Sequence, residues 1–271
     1  MPELPEVEMV VRGLRPDVVG RVFTDAAVNW ERQIAPLSVE AFGDRITGQR
    51  VGQLSRRGKY VVFTLSRDSL LVHLKMTGRL YVSPPDQQDH ADRWVRVIVG
   101  MDDGRELRFS DLRKFGRLYL VEHADEVIGS LGPEPLSDAF TPELFRELIG
   151  SRKGMIKPLL MNQEFIAGIG NIYADESLWL AQVDPRHRAD TLKPGQIEKL
   201  YQAIRQVLQQ GIENEGASIN WYRKPDGSTG TYQERFYVYD RTGQSCPRCG
   251  DAIQKTRIAQ RGTHYCPSCQ V

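Results

Sequence analysis

Residues 246–269 read CPRCGDAIQKTRIAQRGTHYCPSC and hold all four cysteines of the chain. Cys246 and Cys249 are separated by two residues, as are Cys266 and Cys269, and sixteen residues lie between the pairs. Four cysteines admit three disulfide pairings, but this spacing is that of a four-thiolate zinc ribbon. The other end of the chain agrees. PELPEVE at 2–8 is acidic where a secretory signal is basic, so an oxidising compartment is not the expectation. A ribbon over 236–271 is therefore expected, with one structural Zn2+ on Cys246, Cys249, Cys266 and Cys269. Four thiolates close the coordination sphere and leave no position for a catalytic water.

Charge over the whole chain is balanced. The chain of 271 residues has 36 Lys and Arg against 35 Asp and Glu, a net charge of +1, below the usual signature of a nucleic-acid-binding domain. Any polyanionic partner must be held by local charge. The stretch 241–271 supplies some: Arg241, Arg248, Lys255, Arg257 and Arg261 face Asp251 alone, before four thiolates on Zn2+ remove two charges. No apolar run approaches the ~18 residues of a membrane span, so the chain reads as soluble and intracellular.

Upstream of the ribbon the texture changes twice. Leu4, Val7, Val11, Leu14 and Val18 form a helical stripe, with Pro2 and Pro5 at its start, Pro16 to end or bend it and Gly20 at its exit. Short β-type runs follow at 21–28, 60–65, 69–73, 79–82, 95–101, 106–110 and 117–121. Arg67-Asp68 and Asp102-Asp103-Gly104 read as hairpin turns. Seven short strands at this spacing indicate a β-sandwich or barrel. Gly132-Pro133-Glu134-Pro135 reads as a linker, after which the chain turns helical. Thr141-Pro142 opens one helix with an N-cap and a proline. Others are expected over 155–161, from Asn171, and from Pro194 to about Gly211. Residues 216–235, rich in Gly, Ser and Thr, read as a mobile loop. The fold class is α+β in three parts: 1–131, helix and β-sandwich; 136–235, helical; 236–271, ribbon.

Four segments offer chemistry, each with an ordinary alternative. Removal of Met1 before a small residue exposes the Pro2 amine. An α-amine has a reference pKa of about 7.7–8 against about 10.4 for lysine, so it is partly neutral and nucleophilic near pH 7. It can form a Schiff base with an opened sugar. The same residues also describe a plain capped helix. Gly168-Ile169-Gly170-Asn171 before a helix suits a phosphate, or Asn171 is simply an N-cap. Asp111-Leu112-Arg113-Lys114-Phe115-Gly116 and Arg56-Arg57-Gly58-Lys59 are basic turns, fit for DNA or for solvent.

Together the segments resemble the formamidopyrimidine-DNA glycosylase family, bacterial enzymes that remove oxidised purines from DNA. The matching motifs are PELPEVE (2–8), RRGKY (56–60), HLKMTGRL (73–80), DLRKFG (111–116), IAGIGNIYADE (166–176) and RGTHYCPSCQ (261–270). They span nearly the whole chain in order. The resemblance implies an N-terminal helix on a β-sandwich, a helix–two-turn–helix module and a zinc ribbon, with damaged double-stranded DNA bound in a cleft by a monomer of the bacterial cytoplasm and nucleoid. It implies a catalytic set of Pro2, Glu3, Lys59 and Arg261. Pro2 is the nucleophile on the anomeric carbon, Glu3 the general acid/base, Lys59 a cation beside the DNA backbone, and Arg261, with Asn171, a phosphate clamp. Met76, Arg113 and Phe115 form the wedge that fills the gap left by the flipped base. Lys157 and His73 are further DNA contacts. Glu6 and Ser218 belong to the lesion pocket.

The chain departs from the family pattern twice. Asn162 stands before Gln163 where the family usually has Asp. The loop start Gly216-Ala217-Ser218-Ile219-Asn220-Trp221 differs from the common Gly-Gly-Thr-Thr type. Two other readings compete. One is an endonuclease VIII-like glycosylase for oxidised pyrimidines, whose N-terminus usually has Gly where this chain has Leu4 and which generally lacks the complete wedge. The other is a non-catalytic DNA-binding protein, opposed by Pro2, Glu3 and Lys59.

Overall fold

The structure, a computed structural model, describes residues 1–219 and 221–271. Asn220, part of the loop start quoted above, lies outside the described residues. The chain forms two compact units: Met1–Ser130 with Glu215–Gly230, and Leu131–Asn214 with Thr231–Val271.

In the first unit, helix α1 (Leu4–Val18) buries Leu4, Val7, Val10, Val11, Leu14 and Val18, the stripe read from the sequence plus Val10. Pro16 does not end it. The helix runs through it, forgoing the N–H that would bond to the Arg12 carbonyl, and leaves through Gly20 at φ +87°. The strands are β1 (Phe23–Val28), β2 (Val51–Arg57), β3 (Tyr60–Leu65), β4 (Ser69–His73), β5 (Gly78–Ser83), β6 (Val95–Met101), β7 (Glu106–Asp111) and β8 (Arg117–Val121), with α2 (Val39–Ile46) between β1 and β2. They pair into two antiparallel sheets, β1-β6-β7-β5 and β2-β3-β4-β8. Residues of α1 and both sheets enter one apolar core, and α1 touches β2 and β3 of one sheet and β5 of the other. All seven strands expected from the sequence are present. The eighth, β2, escaped because only Val51 and Leu54 are buried along it and a bulge lies between Val51 and Gln53, so no period of two is visible. Arg56 and Arg57 end that strand, and the turn that follows is Gly58-Lys59, with Gly58 at φ +55°.

The second unit is helical: α3 (Asp125–Ile128) precedes it, then come α4 (Pro142–Gly150), α5 (Ile156–Leu160), α6 (Asn171–Leu180) and α7 (Pro194–Glu213). Thr141 caps α4 by accepting the Leu144 N–H at 3.2 Å. Between α5 and α6 the Gln163 amide spans the turn, donating to the carbonyls of Met161 and Ile169 and accepting the Gly168 N–H. Asn162 is exposed and accepts the Glu164 N–H at 3.0 Å, a bond that a neutral amide oxygen makes as well as a carboxylate. The unit ends in the hairpin of β9 (Gln254–Ile258) and β10 (Arg261–Tyr265). Of the segment expected to be a loop, 216–230 belongs with the first unit, together with Glu215. Among the described residues, no helix is long and apolar enough to cross a membrane.

Candidate active site and nucleic-acid interface

The N-terminus of α1 is built as a reciprocal box. The Glu3 N–H donates to Glu6 Oε2 at 2.8 Å, while the Glu3 side chain accepts the Glu6 N–H. Pro2, Glu3 and Glu6 are all buried, whereas Met1 is exposed. The second Glu6 oxygen accepts the Ala217 N–H at 2.8 Å, tying the start of the chain to the loop 215–230. Gly216 sits at φ +81°, and a Cβ there would lie 3.0 Å from Glu6 Cγ and Oε1, so this contact requires glycine. Ser218 Oγ closes the loop by accepting the Gly230 N–H at 2.9 Å. Tyr222 is buried against the core, and burial, with Glu6 and Glu215 nearby, pushes its phenol well above the usual range.

Lys59 is buried in the β2–β3 turn. His73, at the end of β4, is also buried, and its ring meets Tyr60 edge-on at 4.7 Å. His73 Nδ1 accepts the Lys75 N–H at 3.0 Å, so its proton sits on Nε2. Burial, then Lys75 and Lys59, push its pKa down to about 3 from 6.5. His73 is therefore neutral near pH 7, with its N–H on Nε2. Between pH 6.5 and 3 the unfolded chain binds a proton that the folded chain does not, so this residue lowers stability as pH falls through that window. From pH 7 to pH 5 the wild type should lose about 2 kcal/mol more than His73→Asn. Urea unfolding of both proteins at the two pH values checks this, and parallel losses would contradict it.

Met76, Arg113 and Phe115 do meet. Arg113 Nη1 lies 3.1 Å from Met76 Sδ, and the guanidinium lies 4.7 Å from the Phe115 ring centre. Met76 and Phe115 are 44% and 49% exposed, unusual for such side chains, and mark an apolar surface with a cation between. Beside them is a cavity of about 250 Å³ lined by Thr77, Arg79, His90, Trp94, Trp221 and Arg223. The two indoles meet edge-on at 5.9 Å. Sequence reasoning missed this feature, because Trp94 and Trp221 are 127 positions apart and neither lies in a recognisable pattern.

In the second unit two residues expected at DNA, Lys157 and Asn171, surround one carbonyl. The Lys157 ammonium donates to Gly262 O at 3.0 Å and Thr263 Oγ1 at 2.8 Å and pairs with Asp175 at 2.7 Å. Asn171 Nδ2 donates to the same Gly262 O at 3.0 Å. Lys157 is fully buried. Asn171 is the first residue of α6, whose N-cap is Gly170. Arg261, next to Gly262, is exposed at the head of β10. The hairpin tip is Ala259-Gln260, both with positive φ, a strained geometry for residues with a Cβ. Neighbouring carboxylates on α6 fix the ribbon at two places. Asp175 accepts the His264 N–H at 2.9 Å, and Glu176 accepts those of Tyr237, Val238 and Tyr239 at 2.7–2.9 Å. Burial lifts the Glu176 carboxyl to about 7 despite those three bonds.

The four cysteine sulfurs lie within 4.8 Å of one another, with Cys246–Cys269 at 3.9 Å and Cys249–Cys266 at 3.5 Å. Tetrahedral Zn–S bonds of about 2.3 Å require sulfurs about 3.8 Å apart, so the donor set fits zinc. The Trp179 indole N–H points at Cys246 Sγ from 3.4 Å.

Three regions match known families: residues 1–118 the formamidopyrimidine-DNA glycosylase N-terminal domain, 131–223 its H2TH domain, and 243–271 a zinc finger found in FPG and IleRS. The chain is 44% identical over 277 residues to the formamidopyrimidine-DNA glycosylase of Chloroflexus aurantiacus, covering 100% of this chain and 98% of that one. It is 43% identical over 274 residues to that of Enterococcus faecalis, covering 100% and 97%. Among solved structures, the Lactococcus lactis Fpg in complex with abasic-site DNA superposes with a TM-score of 0.90 at 36% identity over 99% of each chain. A MutM complex with DNA containing carbocyclic 8-oxo-G gives 0.90 at 37% over 99% of each.

Proposed function

We propose, because the chain belongs to the formamidopyrimidine-DNA glycosylase family, that Pro2 is the nucleophile with which it excises oxidised purines from duplex DNA. The protein is a DNA glycosylase of base excision repair, and lyase activity is part of its family. The observation that carries the assignment of Pro2 is its burial at the head of α1, beside two buried carboxylates.

The chemistry follows from these groups. A base inside the duplex cannot be attacked, so it is first extruded, at a cost of a few kcal/mol. The Pro2 nitrogen bonds to C1′, the base leaves with the glycosidic electron pair, and Glu3 protonates the ring oxygen as the sugar opens. The resulting iminium acidifies C2′. Loss of that proton expels the 3′ phosphate, and a second elimination expels the 5′ phosphate. Lys59 and Arg261 hold phosphates, Glu6 and Ser218 shape the lesion pocket through the loop they anchor, and Met76, Arg113 and Phe115 replace the extruded base. Asn171 and Lys157 act by holding Gly262, and so Arg261, in position, with Asn171 also at the phosphate. His73 is a neutral donor to the DNA. The functional modules are 1–131, 136–235 and 236–271, with the loop 215–230 of the second serving the first, and the enzyme works as a monomer on DNA at the cytoplasmic nucleoid.

Zinc, bound through Cys246, Cys249, Cys266 and Cys269, supplies a structural cross-link and no reactive group. Arg261→Ala should weaken binding to damaged and undamaged duplex alike and flatten the dependence of log K on log salt by about one unit. An unchanged slope would remove Arg261 from the phosphate contacts. The substrate class is tested by incision of duplexes with a single 8-oxoguanine, a formamidopyrimidine or an oxidised pyrimidine. Preferred cleavage at the purines, leaving phosphate on both new ends, supports this reading. Preference for the pyrimidine favours the endonuclease VIII-like alternative, and binding without cleavage the non-catalytic one.

A further inference from the structure

The wedge side chains come from two separate turns. Met76 lies between β4 and β5, and Arg113 and Phe115 between β7 and β8. One carboxylate joins these turns. Asp111, the last residue of β7, is fully buried and accepts on both oxygens. Its Oδ1 takes the Thr77 hydroxyl and, at 3.2 Å, the Arg113 N–H. Its Oδ2 takes the Gly116 N–H at 2.7 Å and the Gln33 side-chain amide at 3.0 Å. The Thr77 hydroxyl in turn accepts the Arg113 N–H at 3.1 Å. Thr77 therefore bridges directly from the residue after Met76 to the backbone of Arg113. A Cβ at Gly116 would lie 2.3 Å from the Phe109 ring and 3.1 Å from Asp111 Oδ2, so the second turn is pressed onto the carboxylate. Each turn also carries a lysine in the left-handed region, Lys75 at φ 53° and Lys114 at φ 59°. Such a backbone persists only where its surroundings over-determine it.

We propose that Asp111 and Thr77 form a clamp that locks the Met76 turn to the Arg113–Phe115 turn, and that they are positioning residues for base extrusion. The proposal rests on reading Met76, Arg113 and Phe115 as the wedge. A wedge that displaces a stacked base must enter as one rigid body, because side chains on independently moving turns yield instead of displacing it. A buried carboxylate with four donors supplies that rigidity, since bonds to a charged acceptor are the strong ones. The bonds of Asp111 and Thr77 join the two turns that carry the wedge, so the clamp governs extrusion rather than the covalent steps.

The test compares two substrates under single-turnover conditions: duplex with 8-oxoguanine paired to cytosine, and duplex with a pre-formed abasic site, whose extrusion costs less. Phe115→Ala reports on the wedge itself, and Thr77→Val, Thr77→Ser and Asp111→Asn report on the clamp. Thr77→Val keeps the side-chain volume and removes the hydroxyl. It should slow excision from the paired duplex about tenfold, the equivalent of one buried hydrogen bond, with abasic-site cleavage near wild type. Thr77→Ser should restore both rates, and Asp111→Asn should show the same split, larger. The fluorescence of 2-aminopurine placed next to the lesion should report slower extrusion in the same variants. A split for Phe115→Ala with none for Thr77→Val would overturn the clamp and leave the wedge standing. Equal losses on both substrates for Thr77→Val would also overturn it, as a merely structural defect. If Phe115→Ala itself lowers both rates equally, the wedge reading fails and the clamp with it. Should Asp111→Asn not fold, the Val and Ser pair at position 77 decides alone.

Discussion

A protein that keeps Met1, or carries one added residue ahead of Pro2, should bind damaged duplex as the wild type does and release no base. In either form the Pro2 nitrogen is an amide, whose lone pair is delocalised into a bond of partial double-bond character. It can neither attack C1′ nor form an iminium. Removing a nucleophile of this kind costs about 10⁴-fold or more in rate, because the later steps pass through the same covalent bond. Affinity should hardly change, since binding rests on phosphate contacts made elsewhere. Glu3→Gln separates the roles further. It keeps the amine but removes the proton donor to the ring oxygen, so base release should fall while binding stays. Gel-shift titration beside single-turnover excision checks both variants. Base release by the extended protein at anything near the wild-type rate would exclude Pro2.

The second large effect concerns zinc. The ribbon's apolar cluster is small: Trp179, Val238 and Ile253 with Cys246, Cys266 and Cys269 make up its buried members. So few side chains cannot stabilise a fold of this length, and structural zinc in comparable small modules contributes about 10–16 kcal/mol. Cys249→Ser, or exhaustive chelation, should therefore release the β9–β10 hairpin, and with it Arg261, from its seat on Lys157, Asn171 and Asp175. Affinity for damaged and undamaged duplex should fall about 100-fold or more, the loss expected when several phosphate contacts go together. The Pro2 amine and the β-sandwich remain intact, so far-ultraviolet circular dichroism should change little. Active protein with less than half an equivalent of zinc would contradict this account.

Much of the architecture was legible because it is encoded locally. The two Cys-x-x-Cys pairs, Thr141-Pro142 ahead of α4, and the turn at Asp102–Gly104 are each decided by a few adjacent residues, and the structure has them where expected. Long-range polar pairings are not encoded in this way. Lys157, which lies outside the six matching motifs, was expected at DNA only through the family resemblance; it is buried, and its flanks Ile156, Leu159 and Leu160 were an available sign of that. Asp111 looked like part of a basic turn. Its partners Gln33 and Thr77 lie 78 and 34 positions away, and no periodicity reports on them. The same limit hid the membership of 215–230 in the first unit, which depends on Glu6, 211 positions from Ala217. The proposed catalytic set has a different source, its match to family motifs, since composition alone argued against DNA.

One measurement bears most directly on the central claim that the N-terminal proline is the nucleophile. Borohydride added during turnover on an 8-oxoguanine duplex reduces the iminium to a stable amine, and peptide mapping then locates the adduct. The account predicts one DNA adduct per protein, on Pro2 of a chain lacking Met1. An adduct on Lys59, formed equally well by an N-terminally extended protein, would contradict it.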